Sequence, residues 1–525
     1  MFTELANEFV GIPSLNWAIA HIQKYGDTDI FPTPFEYNLF KSIWPEVLTE
    51  LKQIDISIHE LSASLKMMSP KHITGFRAAT QMDPIDAILF TALIYEISEP
   101  IENFRICKDD KIACSYRILT GPDGQFFSRD NGWNDYLSKS EELSNDPACK
   151  YVLTADISDF YNQISHHRVQ NALASTTISE NRSKTVERLL KNHAALHHSR
   201  GVPVGPSASI PLAEICLSDV DLFLMRKGHK HTRYVDDFRI FCESKQAAIT
   251  ALHNLSEYLY KSHRLTLQSH KTTILDVNVF RQGELFDPEK EELKRKENRI
   301  ADFIDSLDIP PYTDPDDFEI DDDAEAEFTR ETIRELFIYL LSQDHIHLGL
   351  ARYLLRRATI LKTRVILQLV LDNIVKLLPA LREVAIYLIK VYDKSRPEQI
   401  GDVLLSLLQS SDYKNIPYIQ YWVLEIVSRN TNIFNQNSAL FIAESANPYI
   451  SERMSALIAK NYNIIDWVRE RKETWQTSQV WAQRAIIYAS SILPKDERNH
   501  WLKQIENYPD LGIRLTAKAT RHINN

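Results

Sequence analysis

The chain has 525 residues and a formal net charge of −11, with 44% hydrophobic and 25% charged residues. This length exceeds what a single hydrophobic core supports, so we expect two or more domains. Only 13 residues are glycine, which disfavours an all-β protein and favours helices. Nine acids lie between Asp314 and Glu327 and account for most of the net charge, and the near-neutral remainder disfavours a broad duplex-coating surface.

The cysteines and the N-terminus indicate a cellular compartment. Five cysteines without a CxxC pair are typical of a reduced intracellular protein. The N-terminal stretch carries acids where a signal peptide needs basic residues, and no apolar run reaches the roughly 18 residues of a membrane span. We therefore expect a soluble cytoplasmic protein with no membrane partner.

The first half of the chain changes character along its length. Residues 1–100 carry apolar residues at helical spacing, and residues 101–150 contain strand-like segments around a charged turn. From 150 to 285, β-rich stretches alternate with amphipathic helices, which indicates an α+β sheet domain. The strands expected there are "YVLTA" and the two arms of "HTRYVDDFRIFC", and "SIPLAEICLSDVDLFLMRK" predicts a long buried helix.

The second half is different. Residues 286–327 predict a charged helix followed by an acidic, proline-containing linker. From 328 to 525 almost every segment predicts an amphipathic helix of ordinary length, with short polar turns between the helices. Successive helix pairs of this kind are typical of an α-solenoid of HEAT type, and a compact bundle is the alternative.

Acidic side chains follow two of the expected strands. Adjacent Asp236 and Asp237 lie between strand arms, where a hairpin turn is the simplest explanation. Asp156 follows an earlier buried strand, where an unpaired carboxylate would be costly. Carboxylates from separate parts of a chain are what a hard, phosphate-handling cation prefers. Between them, "RGVPVGPSAS" predicts a shaped Gly/Pro loop, and Lys271 follows later in "LQSHKT".

In this order, the segments resemble the palm of the reverse transcriptases. "ADISDFY" resembles their motif A, "GVPVGPSAS" motif B, "YVDD" motif C and "LQSHKT" motif D. Four elements in the family's order are more specific than a lone YxDD, which matches by chance. The resemblance implies a reverse-transcriptase-like domain at 1–285, with a helical N-terminus and fingers at 1–150 and the palm at 151–285, before the all-α HEAT-like domain at 328–525.

The resemblance also implies roles for individual residues. Asp156 and Asp236 would hold two Mg²⁺ ions, which Mn²⁺ could replace, with Asp237 as a third acid at the metals. Lys271 would protonate the leaving pyrophosphate, and Tyr161 would be the steric gate that selects dNTPs. A solvated Lys271 and a Tyr161 that is merely a core aromatic are the alternatives. Further dNTP-binding candidates are Phe160, Val204, Gly205 and Arg117.

Motif B departs from the common pattern. Most templated reverse transcriptases carry a Gln in a PQG-like run, whereas here the run is Pro203-Val204-Gly205, and valine cannot make the polar contacts of glutamine. "DISDFYNQISHH", "GVPVG" and "RYVDDF" resemble the abortive-infection (Abi) reverse transcriptases of bacterial phage defence, which also lack this Gln. That resemblance implies untemplated DNA synthesis from a tyrosine hydroxyl. The single-stranded product would stay covalently attached, and the enzyme would be a homo-oligomer.

Tyr37, within "FPTPFEYNLF" and beside an irregular loop, is the candidate priming tyrosine. Two other functions stay open: a templated RNA-directed DNA polymerase of another defence system, and a non-catalytic interaction scaffold. Three retained acids at 156, 236 and 237 disfavour the scaffold, because a relic site gains nothing from buried carboxylates.

Overall fold

The computed structural model of the chain describes residues 7–72, 75–128, 132–194, 199–285, 330–343, 346–392 and 397–523. Contacts divide the chain into two compact units that interleave along the sequence. The first unit comprises Met1–Asp27, Glu50–Ser64 and Asp86–Tyr312, and the second comprises Thr28–Thr49, Leu65–Ile85 and Thr313–Asn525. The predicted charged helix and acidic linker at 286–327 lie outside the described residues.

The described secondary structure is mainly helical, with two small sheets. The strands are β1 (Leu65–His72), β2 (Gly75–Gln81), β3 (Tyr151–Asp156), β4 (Lys230–Tyr234), β5 (Asp237–Cys242) and β6 (Thr273–Asp276). The helices of the first half are α1 (Ile12–Tyr25), α2 (Glu36–Ser42), α3 (Trp44–Leu51), α4 (Pro84–Phe104), α5 (Gly132–Ser144), α6 (Phe160–Gln163), α7 (His166–Ala174), α8 (Glu180–His193), α9 (Ser209–Arg226), α10 (Lys245–Tyr258) and α11 (Val277–Phe280). Those of the second half are α12 (Arg330–Ser342), α13 (Leu348–Ile360), α14 (Leu367–Asp372), α15 (Leu381–Val391), α16 (Pro397–Gln409), α17 (Pro417–Arg429), α18 (Gln436–Glu444), α19 (Pro448–Asn461), α20 (Ile465–Thr474), α21 (Val480–Ala489), α22 (Lys495–Ile505) and α23 (Leu511–Arg521).

A four-stranded antiparallel sheet, in the order β4-β5-β3-β6, organises the first unit. The interior strand β3 contains β-branched and aromatic residues, which favour a strand. Adjacent Val152 and Leu153 are both fully buried, so both faces of this strand are covered. Helix α10 packs on β3 and β5, and α9 packs on β4. The mixed strand and helix content predicted between 150 and 285 is therefore confirmed, and the domain bounds stay a prediction.

Helix α9 is the long buried helix that the sequence predicts. Its apolar side chains are buried on nearly all sides, and it also carries two buried acids, Glu214 and Asp221. These acids lie two helical turns apart and therefore on one face. A buried acid is costly unless a cation pairs with it, so this face of α9 needs a basic partner.

Two local predictions differ from the structure. Residues 65–81, expected to be helical, form the antiparallel hairpin β1–β2. Pro70 within β1 has no N–H to donate and disfavours a helix interior. Residues 105–119, expected as strands, contain a 3₁₀ turn at Lys108–Asp110 and isolated bridges to other segments. The backbone there pairs with a single residue of β4, Arg233, which accepts from the Cys114 N–H.

The second unit is built from helices. Helices α13, α15, α17, α19, α21 and α23 each pack on the next member of this series, so alternate helices form a continuous row. The predicted helical second half is confirmed for the described residues, while repeats of HEAT type stay a prediction. Among the described helices, none has the length and apolar character needed to cross a membrane.

A buried ion cluster ties an N-terminal segment into this second unit. Glu36 of α2 accepts hydrogen bonds from Arg453 Nη1 at 2.8 Å and Nη2 at 2.9 Å, and from Arg484 Nε at 3.1 Å. Arg484 also pairs with Asp83 at 2.7 Å. Burial raises the pKa of Glu36, but the charges and hydrogen bonds of the arginines outweigh it and the pKa is lowered. Helix α2 and the β1–β2 hairpin, both inside the predicted 1–285 domain, thus belong with helices beyond residue 328.

Candidate active site

Antiparallel pairing brings the predicted aspartates to one end of the sheet in the first unit. Asp156, the last residue of β3, is the register partner of Asp237, the first residue of β5. Tyr234 of β4 also pairs with Asp237, which leaves Val235 and Asp236 as the turn between β4 and β5. Directly opposed residues share a face of the sheet, with Cβ atoms roughly 4.5–5.5 Å apart. The hairpin turn and the convergence on Asp156 are therefore both present.

Lys271 reaches the same cluster from the segment before β6. Its Nζ donates to Asp156 Oδ1 at 3.1 Å. The Asp156 side chain is 9% exposed and that of Lys271 45%, so the lysine lies on the solvent side of the pair. Burial lowers the pKa of Lys271, but the hydrogen bond to Asp156 and the charges of all three aspartates outweigh burial and raise it. Lys271 is consequently protonated at neutral pH and interacts with all three carboxylates.

The segment after β3 places Tyr161. The Gln268 N–H donates to the Asp156 carbonyl at 2.8 Å, which holds the end of the strand. Asp159 then adopts a left-handed conformation with φ of 49°, which Asp tolerates better than most residues. In the short helix α6 that follows, Phe160 is buried in the core while Tyr161 is half-buried, and their rings meet edge to face. Phe160 thus packs in the core against Tyr161, and Tyr161 is the more accessible ring.

The Gly/Pro loop is anchored to α6 and to α1. The Val202 N–H donates to the Tyr161 carbonyl at 2.9 Å, so the loop that carries half-buried Val204 starts beside the Tyr161 backbone. Gly205 has φ of 130°, which favours glycine at that position. Next in the loop, the buried Ser207 Oγ lies 2.6 Å from Nε2 of His21 on α1.

His21 has a defined protonation state. Its Nδ1 lies 2.7 Å from the Gly124 carbonyl, which can only accept, so Nδ1 carries the proton. Burial lowers the pKa of His21 to about 4, against the opposing effect of the Gly124 hydrogen bond, so Nε2 is unprotonated at neutral pH. Ser207 therefore donates to His21. No sequence motif indicated His21, because His21 and Ser207 lie far apart along the chain.

Two predicted residues are engaged elsewhere. Arg117 is 8% exposed, and its Nε donates to Glu102 Oε1 at 2.6 Å while its Nη1 donates to the carbonyls of Ile106 and Ala113. Its guanidinium is therefore hydrogen-bonded to protein groups of the first unit. Tyr37 is 1% exposed and lies on α2 of the second unit. Nucleotide contact by Arg117 and priming by Tyr37 stay predictions.

The donor set suits a hard divalent cation. Mg²⁺ prefers oxygen ligands and is usually held by one or two carboxylates together with substrate phosphates. Asp156 already pairs with a cationic nitrogen at 3.1 Å, so positive charge is stabilised at this position. Within the described ranges, no three acidic, histidine or cysteine side chains form a metal-holding group. Asp156 and Asp237, on one face of the sheet, and Asp236 in the turn are therefore candidate ligands that do not form a preassembled three-ligand group.

A buried ionic network lies behind the turn, and sequence reasoning missed it. Arg233 of β4 is fully buried between the two acids of α9, with Nη2 at 2.7 Å from Asp221 Oδ2 and Nη1 at 3.1 Å from Glu214 Oε2. Burial lowers the pKa of Arg233, but the charges of Asp221 and Glu214 outweigh the effect of burial, so the pKa is raised. Burial raises the pKa of Asp221, yet Arg233 holds it at about 2. Two acids on one face of an apolar helix were the available signal.

Comparison with known proteins identifies the domain that carries this site. Residues 96–295 match the family model described as "Reverse transcriptase (RNA-dependent DNA polymerase)". No curated protein matches the chain. One similar solved structure is telomerase from Candida albicans in complex with a fragment of telomeric RNA, with 12% identity, a TM-score of 0.32, and coverage of 83% of this chain and 71% of that chain. Apo telomerase from Candida tropicalis has 12% identity, a TM-score of 0.32, and coverage of 85% and 74%.

The matched range contains β3, the β4–β5 turn and Lys271. The chain therefore carries a reverse-transcriptase domain. It is an enzyme of the nucleotidyltransferase class, a DNA polymerase of the reverse-transcriptase type. This confirms the enzyme class predicted from the four motifs.

Proposed function

We propose that this polymerase joins dNTPs without a template, from a tyrosine hydroxyl of its own, in bacterial defence against phage. The catalytic part of the proposal rests on one observation. Asp156 and Asp237 are register partners beside the turn that carries Asp236, and the cationic Lys271 lies 3.1 Å from Asp156. Carboxylates and a proton donor are the groups that nucleotidyl transfer uses, and their proximity supports the proposal.

The three aspartates and Lys271 would have different roles in the reaction. Asp156, Asp236 and Asp237 would hold two divalent cations, Mg²⁺ or Mn²⁺. When bound, these ions would lower the pKa of the attacking hydroxyl and neutralise charge on the leaving pyrophosphate. The hydroxyl loses its proton to solvent water, and its oxygen forms a bond to the α-phosphorus as the bond from that phosphorus to the bridging oxygen breaks. Lys271 donates its proton to the pyrophosphate oxygen that leaves.

Neighbouring residues would form the dNTP pocket. The half-buried ring of Tyr161, five residues after Asp156, would exclude a ribose 2′-OH by steric clash. Phe160 supports it from the core, and Val204 and Gly205 offer a loop surface without side-chain hydrogen bonds. An apolar Val204 in place of the usual Gln is what favours untemplated synthesis over a templated mechanism, together with the resemblance to the Abi enzymes.

Priming by protein requires a hydroxyl about 3–3.5 Å from the α-phosphate. Tyr37 is buried in the second unit, so priming by its hydroxyl would require its side chain to leave that packing. The product would be single-stranded DNA attached to the chain, and the enzyme would act as a cytoplasmic homo-oligomer. The helical second unit would be an α-solenoid of HEAT type, which the continuous row of alternate helices supports.

The decisive experiment omits nucleic acid. The purified chain is incubated with Mg²⁺ and labelled dNTPs, and the product is run on a denaturing gel with and without protease. Asp236→Ala is the test variant, and Asp466→Ala, which changes a fully exposed acid of α20, is the matched control. We expect label that stays with the protein until protease is added, that is absent in Asp236→Ala and that is retained in Asp466→Ala.

Other outcomes select the alternatives. Extension of a primed RNA template, with no label in its absence, would show templated reverse transcription and overturn the untemplated proposal. Absence of incorporation both with and without a primed RNA template would favour the non-catalytic interaction scaffold. If the protein is labelled, Tyr37→Phe then tests the candidate primer, and retained labelling would exclude Tyr37.

A further inference from the structure

The turn that carries Asp236 has an unusual backbone. Val235 adopts φ of 52°, in the left-handed region. A β-branched residue rarely adopts this conformation, because its Cβ substituents crowd the backbone. Such a conformation persists only where surrounding groups impose it, and it is often found at functional sites. The groups that impose it here can be identified.

Both backbone polar groups of Val235 are held by buried side chains. Its N–H donates to Ser115 Oγ at 2.8 Å, and its carbonyl accepts from Arg233 Nη1 at 2.8 Å. Ser115 and Arg233 are both 0% exposed. The two hydrogen bonds fix the orientation of the peptide groups on each side of Val235, and therefore the direction in which the chain enters Asp236.

One carboxylate anchors both of these side chains. Glu214 of α9 is 2% exposed, and its Oε1 accepts from Ser115 Oγ at 2.5 Å while its Oε2 accepts from Arg233 Nη1 at 3.1 Å. A serine hydroxyl has one proton, and here that proton points to Glu214. The Ser115 lone pairs are thereby left to accept from Val235. Arg105 Nη2 donates to the same Glu214 Oε2 at 2.8 Å, which balances the buried charge.

We propose that Ser115, Glu214 and Arg233 are positioning residues for nucleotidyl transfer. They hold Val235 in the left-handed conformation and so aim the Asp236 carboxylate at the metal site. The inference rests on the proposed function, because it takes Asp236 as a metal-binding carboxylate. Small displacements at a reacting centre are costly, since misplacement by 1 Å lowers rates by about a hundredfold.

A glycine at position 235 separates this role from simple support of the fold. Glycine adopts positive φ without steric cost, so it does not need the two hydrogen bonds to reach the required conformation. If the network acts through Val235, then loss of Ser115 matters much less when residue 235 is glycine. If the network only stabilises the domain, then loss of Ser115 costs the same in both backgrounds.

The experiment measures dNTP incorporation and Mn²⁺ binding for four proteins: the wild type, Ser115→Ala, Val235→Gly and the double variant. We expect Ser115→Ala to lower kcat by about thirtyfold, because it leaves the Val235 N–H without its acceptor. KM for dNTP should change by less than about threefold, and Mn²⁺ binding, read by electron paramagnetic resonance, should weaken about tenfold. In the Val235→Gly background, Ser115→Ala should lower kcat by only about threefold.

Ser140→Ala is the matched control. Ser140 is equally buried in the first unit, and its Oγ donates to the Tyr136 carbonyl at 2.7 Å. This variant should lower the melting temperature as much as Ser115→Ala, with the same small effect on kcat whether residue 235 is Val or Gly. If Ser115→Ala does not fold, Glu214→Gln tests the same anchor by the same comparison.

The possible outcomes distinguish failure of the positioning role from failure of the proposed function. Equal loss of kcat and of Mn²⁺ binding on Ser115→Ala in both backgrounds would overturn this inference while leaving the proposed function intact. Unchanged incorporation and Mn²⁺ binding in Asp236→Asn would instead overturn the proposed function, and this inference with it. A much smaller loss with glycine at 235 supports the positioning role.

Discussion

Replacement of Lys271 by alanine should remove much of the catalysis and little of the stability. The ion pair with Asp156 spans 3.1 Å, but Lys271 is 45% exposed, so solvent screens the charges. Such a pair contributes at most about 1 kcal/mol to the free energy of unfolding. A general acid contributes about 10²–10⁴ in rate, which corresponds to about 3–5 kcal/mol of transition-state stabilisation. The two roles therefore differ enough in magnitude to be distinguished.

The assay is rapid-quench measurement of single-nucleotide incorporation. We expect kcat of Lys271→Ala to fall about a hundredfold or more, with a change in melting temperature of no more than about a few degrees. Lys271→Arg should recover little, because arginine keeps the charge but its pKa is too high for efficient proton transfer. The raised pKa of Lys271 places its deprotonation on the alkaline side. Wild-type kcat should thus fall as pH rises through that pKa, and the variants should lack this step.

Lys261→Ala provides the matched control, because Lys261 is a solvent-exposed lysine in an ion pair with Glu257 at 2.6 Å. This variant should keep the wild-type rate and pH profile. A kcat for Lys271→Ala within about threefold of wild type would refute the general-acid role. Lys271 would then be a solvated lysine that happens to pair with Asp156.

Three further predictions concern other residues. Tyr161→Ala should lower discrimination against ribonucleotides roughly tenfold or more in competition assays, whereas an equal loss with both substrates would make Tyr161 a core aromatic. His21 excludes a proton that the unfolded chain binds, so the free energy of unfolding should fall by about 3 kcal/mol as pH falls from 6.5 to about 4. Urea titrations of His21→Gln should lose this dependence. Glu36→Gln leaves Arg453 buried without its counter-charge, whereas Arg484 keeps its ion pair with Asp83, so the second unit should lose about 3–5 kcal/mol in urea unfolding. The lowered pKa of Glu36 stabilises the fold above its unfolded value of 4.5, and this contribution is lost as pH falls through the folded pKa. Unchanged acid unfolding in Glu36→Gln would contradict that account.

The sequence predicted the strands and helices around the candidate site well because their signals are local. β3, the β4–β5 hairpin and α9 follow from short runs whose composition and apolar spacing match one structure. The hairpin β1–β2 was missed because its strands lack a clear alternation and are stabilised by packing in the second unit. The interleaving of the two units also could not be predicted, because contacts between distant segments leave no periodic signal.

For the candidate site, the sequence by itself predicted which residue types would carry the proposed chemistry. Asp156, Asp236, Asp237 and Lys271 follow from motif order alone, because the reaction requires carboxylates and a proton donor whatever surrounds them. Only the tertiary structure decided which residues support the candidate site from behind. Burial sets the neutral state of His21, and Glu214 reaches the Val235 peptide groups through side chains from separate segments. Burial and through-space hydrogen bonds depend on the folded arrangement of distant residues, so no local pattern encodes them.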